Sequence, residues 1–181
     1  MAPVIPSVDE IVARVSTELF SRPLLTNIHR AAVVEAIVAF ATEPDWIWCS
    51  GDYSSFDFRH RDGARLEVKQ SATLQSWNAK SRTPSKCAFD IAARTGEWED
   101  GVRWVERPGR NADIYLLCHH PLVTDNADHR DPTQWRFYIV PESSLPQQKT
   151  IGLSAVEKLA TAATYAGLLE RLSEALPRTV K

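Results

Sequence analysis

Apolar residues follow a helical period at the start of the chain. The segment from Ser7 to Phe20 has apolar positions three and four residues apart, and Ser7 with Glu10 forms a capping box at its start. A second helix is predicted from about Asn27 to Thr42, because the proline at position 44 disfavours helical backbone just before it. The chain therefore opens with two helices.

Beyond Pro44 the pattern changes to the period of a β-strand. Three segments rich in aromatic and β-branched residues are separated by Gly or charged turns, and they predict strands at 45–53, 55–60 and 65–72. We expect further strands at 88–93, 113–118 and 134–140, polar loops over 73–87 and 120–133, a hairpin over 96–109 and closing helices at 154–163 and 165–176. This order predicts an α/β fold in which a central mixed β-sheet is flanked by helices. Residues 1–181 would form a single domain, with the C-terminal helices at about 154–176 packed on it.

The segment 55–71 is interpreted as a β-hairpin whose register follows from its two faces. A two-residue turn at Asp62-Gly63 would mix charged and apolar side chains on both faces. A three-residue loop over 61–63, with Gly63 in the left-handed conformation, separates them. In that register one face carries Phe56, Phe58, Leu66 and Val68, and the other carries Ser55, Asp57, Arg59, Glu67, Lys69 and Ser71.

Composition excludes several classes of protein. With 181 residues, of which 44% are hydrophobic and 24% charged, the chain is typical of a globular protein rather than a disordered or fibrous one. The longest apolar run, 31–41, is interrupted by Glu35 and is too short to cross a bilayer. We expect no signal peptide, no membrane partner and free thiols at the three cysteines, which favours a cytoplasmic location.

Charge is distributed unevenly, although the net charge is only −2. Residues 59–110 carry 11 basic and 7 acidic side chains, whereas both flanking regions are acidic. A basic middle third could face a polyanion, and chance variation on a mixed surface is the simpler interpretation. Charge alone does not decide between the two.

Asp57 and Glu67 form the pair of acidic residues with the clearest chemical potential. In the favoured register their Cβ atoms are about 5 Å apart on one face of the hairpin, and Lys69 projects from the same face. Opposed carboxylates repel, so either both side chains extend into water or a cation binds between them. Glu35 interrupts an otherwise apolar helix, so it either has a partner or a role, or lies at an edge of the helix and faces solvent.

Asp57, followed by Glu67-Val68-Lys69 on the next strand, resembles the core motif of the PD-(D/E)XK nuclease superfamily. That motif is an Asp on one strand and a carboxylate, any residue and Lys on its neighbour, often with a Glu on a preceding helix, where Glu35 matches. The resemblance covers about residues 27–72. It departs from the pattern at Phe56, where the family commonly has Pro.

The resemblance implies a restriction-endonuclease-like fold and a metal-dependent endonuclease, with DNA as the partner in preference to RNA. Asp57, Glu67 and the backbone carbonyl of Val68 would bind Mg²⁺ or Mn²⁺, and Glu35 would bind a second metal or its water. Lys69 would position the attacking water or stabilise charge on the phosphate. The alternative is an inactive nucleic-acid-binding or protein-interaction module on the same fold, with the 96–109 excursion as its partner surface. A homodimer is an open possibility for either.

Several other residues are candidates for supporting roles. Lys80, Arg82 and Lys86, near Trp77 in a polar loop, are candidates to contact a phosphate backbone, although such a mix of residues is more often a solvated loop. Asp52 is a second acidic residue that could bind metal if the register differs. We place Ser71 and Gln75 near the site, and Gln70 on the core side of its strand by alternation.

Overall fold

The computed structural model describes residues 5–49, 54–99 and 102–177. It has an α/β fold whose described residues form four α-helices and nine strands. The helices are α1 (Val8–Phe20), α2 (Asn27–Thr42), α3 (Leu153–Leu159) and α4 (Leu168–Glu174). The strands are β1 (Trp46–Trp48), β2 (Phe58–His60), β3 (Arg65–Ala72), β4 (Ala88–Asp90), β5 (Arg94–Glu99), β6 (Arg103–Gly109), β7 (Ile114–His120), β8 (Arg136–Pro141) and β9 (Thr150–Gly152).

The central sheet is mixed, as predicted. Its strand order is β1-β2-β3-β7-β8, with β3 and β7 parallel and the other neighbours antiparallel. All seven residues of β7 are buried, which is the pattern of a strand covered on both faces at the centre of a sheet. The remaining strands form two small antiparallel ribbons outside the central sheet, one of β4 with β9 and one of β5 with β6.

Each face of the sheet has its own apolar core. On one face, α2 and α4 pack over Phe58, Leu66 and Val68. On the other, α3 and the β4–β9 ribbon pack over Tyr115 and Leu117. The three layers place α2, which carries Glu35, directly over the strand that carries the Glu-Val-Lys motif. No helix among the described residues is long and apolar enough to cross a membrane.

Local signals predicted the first half of the chain well. The bounds of α2 and β3 agree with the predictions, and Ser7 caps α1 in a capping box with Glu10. The strand predicted over 45–53 is regular only at Trp46–Trp48, and residues 50–53, including the candidate Asp52, lie outside the described residues.

The C-terminal helices are shorter than predicted. The helix expected over 154–163 ends at Leu159, because Ala163 instead joins the edge of β8 through reciprocal backbone hydrogen bonds with Phe137 of 3.0 and 2.8 Å. The segment 165–176 begins as a single 3₁₀ turn, Tyr165–Gly167, before α4. The short strand β9 was not predicted.

Helix α1 has an apolar stripe that the rest of the described chain leaves uncovered. None of its residues is buried, and Val8, Ile11, Val12 and Val15 are 48–76% exposed. Its C-terminal end is held by Arg130, whose guanidinium donates to the carbonyl oxygens of Phe20 and Ser21 at 3.1 and 2.7 Å.

The predicted hairpin over 96–109 is present as the β5–β6 ribbon. Trp98 and Trp104 pair across it in an edge-to-face contact, and both are partly exposed. Glu97, only 5% exposed, links the ribbon to the main sheet by an ion pair with Arg65 of β3, and it also pairs with Arg107 within the ribbon.

Candidate functional site

The hairpin between β2 and β3 has the predicted three-residue loop. Phe58 pairs with Leu66, the amide of His60 donates to the carbonyl of Ala64 at 2.8 Å, and Gly63 has φ of 94°. That backbone conformation is strained for any residue with a Cβ, so glycine is needed there. The register that brings Asp57 toward Glu67 is therefore the one the chain adopts.

Asp57 itself lies just outside the strand ladder, which begins at Phe58. Its amide donates to the carbonyl of Leu66 at 3.0 Å, and its Oδ2 accepts the amide hydrogen of Val68 at 2.7 Å. The carboxylate thus takes the place of the strand backbone that would otherwise pair with Val68. Asp57 is opposite Glu67 by register but bonds to the residue beyond it.

The predicted position of Phe56 was wrong. Phe56 was placed on one face with Phe58, but it is buried in the opposite core layer, against Tyr115 and Leu117. The chain bends over residues 55–57, so strict alternation does not extend back from Phe58. Phe56 also lies under the guanidinium groups of two arginines.

The short length of β2 leaves an edge of β3 open. Strand β2 pairs only with Arg65 and Leu66, so residues 67–72 have no strand beside them on that side. A cavity of about 500 Å³ lies there, and Glu35, Asp57, Val68 and Lys69 line it together with Asn27, Arg30, Ala31, Gln70, Ser71, Gln75, Trp77, Ala88 and Asp90. The N–H and C=O groups of a strand residue point the same way, so the Val68 carbonyl also faces this edge.

Glu35 reaches the cavity from α2. It is half-buried, and its Oε2 accepts a hydrogen bond from the indole Nε1 of Trp48 at 3.0 Å. Burial raises the pKa of Glu35. The hydrogen bond from Trp48 and the charge of Lys69 oppose this rise without cancelling it. Glu35 therefore has a hydrogen-bond partner in the partly buried Trp48, as the first of the two expectations for it required.

The charges of Glu35 and Glu67 both act on Asp57. Burial, and then the nearby charges of Glu67 and Glu35, raise the pKa of Asp57 to about 7, although its hydrogen bond from Val68 and the charge of Lys69 oppose the rise. Lys69 forms an ion pair with Glu67. The carboxylates thus concentrate negative charge in this region, and the ammonium of Lys69 neutralises only part of it. No group of three His, Cys, Asp or Glu residues within the described ranges is arranged to hold a metal ion.

Sequence reasoning missed Arg30, a buried residue on α2. Its guanidinium donates to the side-chain oxygens of Gln70, Gln75 and Asn27. These bonds join the first turn of α2 to the open edge of β3, and burial lowers the pKa of Arg30 to about 10. A charged residue inside an otherwise apolar helix was the available signal, and it was followed only for Glu35.

Asp90 of β4 was also missed as a residue lining the cavity. Its carboxylate forms an ion pair with Arg94 at 2.8 Å, so its charge is already partly neutralised. The pKa of Asp90 is lowered, because the hydrogen bonds from Ala92 and Arg94 outweigh the effect of its burial.

The basic loop residues lie on the surface. Lys80, Arg82 and Lys86 are all exposed, but none of them lines the cavity. Arg82 forms an ion pair with Asp125 and donates to the carbonyl of Val123 at 2.9 Å. Arg82 thus connects two loops, whereas Trp77, 68% exposed, stands at the cavity itself.

Comparison with known proteins adds no relative. No family model matches the chain, and no protein of curated function is significantly similar to it. The resemblance to a nuclease superfamily therefore rests on the sequence motif alone.

Proposed function

We propose that this protein is a metal-dependent nuclease that hydrolyses phosphodiester bonds in nucleic acid, DNA in preference to RNA. The observation that carries the proposal is the placement of Glu35, Asp57 and Lys69 around one cavity at an open strand edge, where the charge of Glu67 raises the pKa of both Glu35 and Asp57. Burying carboxylates together is unfavourable unless a cation relieves them. A cavity beside them provides room for a substrate.

The donor atoms are of the kind that Mg²⁺ and Mn²⁺ bind. These ions prefer oxygen and often take only one or two protein carboxylates, with water and substrate phosphate completing the coordination. Asp57, Glu67 and the Val68 carbonyl would hold such an ion, and its Lewis acidity would act on the phosphoryl group. Glu67 would have to give up part of its ion pair with Lys69 to do so.

Lys69 supplies the positive charge that an ammonium can hold near a phosphate without being a metal ligand. Its position beside Glu67 and on the cavity wall suits it to orient the attacking water and to stabilise negative charge that develops during hydrolysis. Glu35, held by Trp48, would orient a second water.

One observation favours a second candidate, an inactive binding module. The β5–β6 ribbon presents Trp98 and Trp104 at 41% and 46% exposure beside the more exposed Val102. Aromatic side chains are enriched at protein and single-strand binding surfaces. In this alternative the ribbon contacts the partner, and the carboxylates have no catalytic task.

The test is cleavage of plasmid, linear and single-stranded DNA with Mg²⁺ or Mn²⁺, in matched variants. Lys69→Met removes the ammonium but no metal ligand, so we expect cleavage to fall about 100-fold while the metal-induced rise in Tm persists. Glu67→Gln removes a ligand, so both cleavage and the rise in Tm should be lost. Lys158→Met, which changes an exposed residue of α3, should resemble wild type.

The binding module predicts a different pattern. No variant would cleave, and Glu67→Gln would still bind nucleic acid. If wild type cleaves no nucleic acid with either metal while that variant binds normally, the nuclease proposal is wrong.

A further inference from the structure

Arg30 is a buried cation without a carboxylate partner. It is 1% exposed, and among the described residues only the amide oxygens of Gln70, Gln75 and Asn27 accept its hydrogen bonds. A guanidinium has five N–H groups, so these three bonds leave two without an acceptor in the described parts of the chain. No ion pair that the structure describes includes Arg30.

The other arginine buried to this degree has a counter-charge. The side chain of Arg110 is 2% exposed, and it forms an ion pair with Glu142 at 3.0 Å in addition to bonds to two backbone carbonyls. Burying an unpaired charge costs several kcal/mol, which is why buried charges are usually paired. Arg30 is therefore a site where a negative charge from outside the chain would be stabilised.

Arg30 is one of the residues that line the cavity beside the open edge of β3. Ser71, which is buried, lines the same cavity with a hydroxyl group, and Trp77 presents a largely exposed indole there. The cavity thus combines a buried cation without a counter-charge, neutral hydrogen-bonding residues and one aromatic side chain with the carboxylates that also line it. Arginine suits phosphate because its planar N–H groups match two phosphate oxygens.

We propose that this cavity binds one phosphate of a nucleic-acid single strand, with Arg30 as its counter-charge and the adjoining base stacked on Trp77. The inference rests on the proposed function in taking nucleic acid as the source of the phosphate, but not in requiring hydrolysis. A single strand fits better than a duplex, because its bases have faces free to stack on a protein indole.

The experiment measures binding in EDTA, so that cleavage plays no part. Labelled oligothymidylate is followed by fluorescence anisotropy, and inorganic phosphate is added as competitor against chloride at equal ionic strength. We expect phosphate to displace the oligonucleotide beyond the effect of chloride, and a duplex of the same length to bind more weakly.

Two variants locate the site. Trp77→Ala changes an exposed side chain, and it should weaken oligothymidylate binding about 10-fold while leaving the inhibition constant of phosphate unchanged. Arg30→Gln should weaken both ligands about 10-fold or more, and Arg30→Lys should recover part of the loss. Arg14→Gln removes the same charge from exposed α1 and should have little effect. Circular dichroism establishes whether each variant folds.

The proposal is overturned if phosphate competes no better than chloride, or if Trp77→Ala binds oligothymidylate as wild type does. Both measurements use protein in which Arg30 is intact, so their results are valid even if Arg30→Gln does not fold. Loss of binding in Trp104→Ala with Trp77→Ala unaffected would move the site to the β5–β6 ribbon. Binding as expected without any cleavage in the metal assay would retain this inference and reject the nuclease.

Discussion

Asp57 accepts a hydrogen bond from the strand backbone at a position where its ionised form is unfavourable at neutral pH. Its carboxylate completes the backbone pairing of Val68, yet burial and the charges of Glu67 and Glu35 raise its pKa to about 7. The hydrogen bond holds the side chain in a position where ionisation is unfavourable. A residue selected only for stability would satisfy Val68 with a neutral group.

That conflict predicts the pH dependence of Asp57→Asn. The folded protein binds the Asp57 proton more tightly than the unfolded chain, so its contribution to stability is lost as pH rises from about 4 to about 7. Asparagine can still accept from the Val68 amide and does not ionise. In EDTA, the Tm of the variant minus that of wild type should increase over this range and then level off.

Thermal denaturation from pH 4 to pH 8 measures that difference. Asp9→Asn, a matched change on exposed α1, is the control for the loss of one carboxylate. A constant difference between Asp57→Asn and wild type would mean that Asp57 is ionised as easily when folded as when unfolded.

At the scale of the element, the β5–β6 ribbon has no room for a side chain at Gly96. A Cβ at Gly96 would contact the carbonyl oxygen of Val105 and would lie 2.7 Å from Cζ2 of Trp104. Neither a paired backbone oxygen nor an indole packed on Trp98 can move aside easily. Gly96 therefore lets the two tryptophans pack across the ribbon.

Gly96→Ala should consequently destabilise the protein by about 1–3 kcal/mol, the usual cost of overpacking. The near-ultraviolet circular dichroism of the Trp98–Trp104 pair should weaken with it. Gly152→Ala is the control, since a Cβ there meets nothing within 4 Å. Equal stability of the two variants would show that the ribbon shifts at no cost.

The elements that sequence predicted best are those with local causes. The capping box fixes the start of α1, and alternation together with Gly63 fixes the register of β3. Phe56 was misplaced because a bend interrupts the alternation, and a bend has no period. The end of α3 was misplaced because Ala163 pairs with Phe137, a contact between residues far apart in sequence.

The same distinction applies to the candidate site. Asp57, Glu67 and Lys69 lie close in sequence on one hairpin, so register alone brings them together. Arg30 could not be placed this way, since its amide partners come from the start of α2 and from residues 70 and 75. Their convergence depends on how α2 packs over the sheet.

At the scale of the molecule, the two core layers leave one helix outside. Helices α2 and α4 cover one face of the sheet and α3 the other, whereas α1 contributes no buried residue to either layer. An isolated helix shorter than about 12–15 residues is marginal in water, and the β-branched residues of α1 lower its propensity further. Contacts with the rest of the described chain lie at its C-terminal end, where Arg130 donates to the carbonyls of Phe20 and Ser21 and the ring of Phe20 packs edge-on against His29 of α2.

The free energy of local opening should therefore differ sharply along the chain. Amide hydrogens of Val12 and Val15 in α1 should exchange with solvent close to the rate of an unfolded peptide, whereas those of Val34 and Val38 in α2 exchange only through much rarer openings. Hydrogen exchange followed by mass spectrometry resolves the two segments. Protection of α1 equal to that of α2 would mean that another surface covers its apolar stripe in solution, and the same measurement against protein concentration would tell whether that surface belongs to a second copy of the chain.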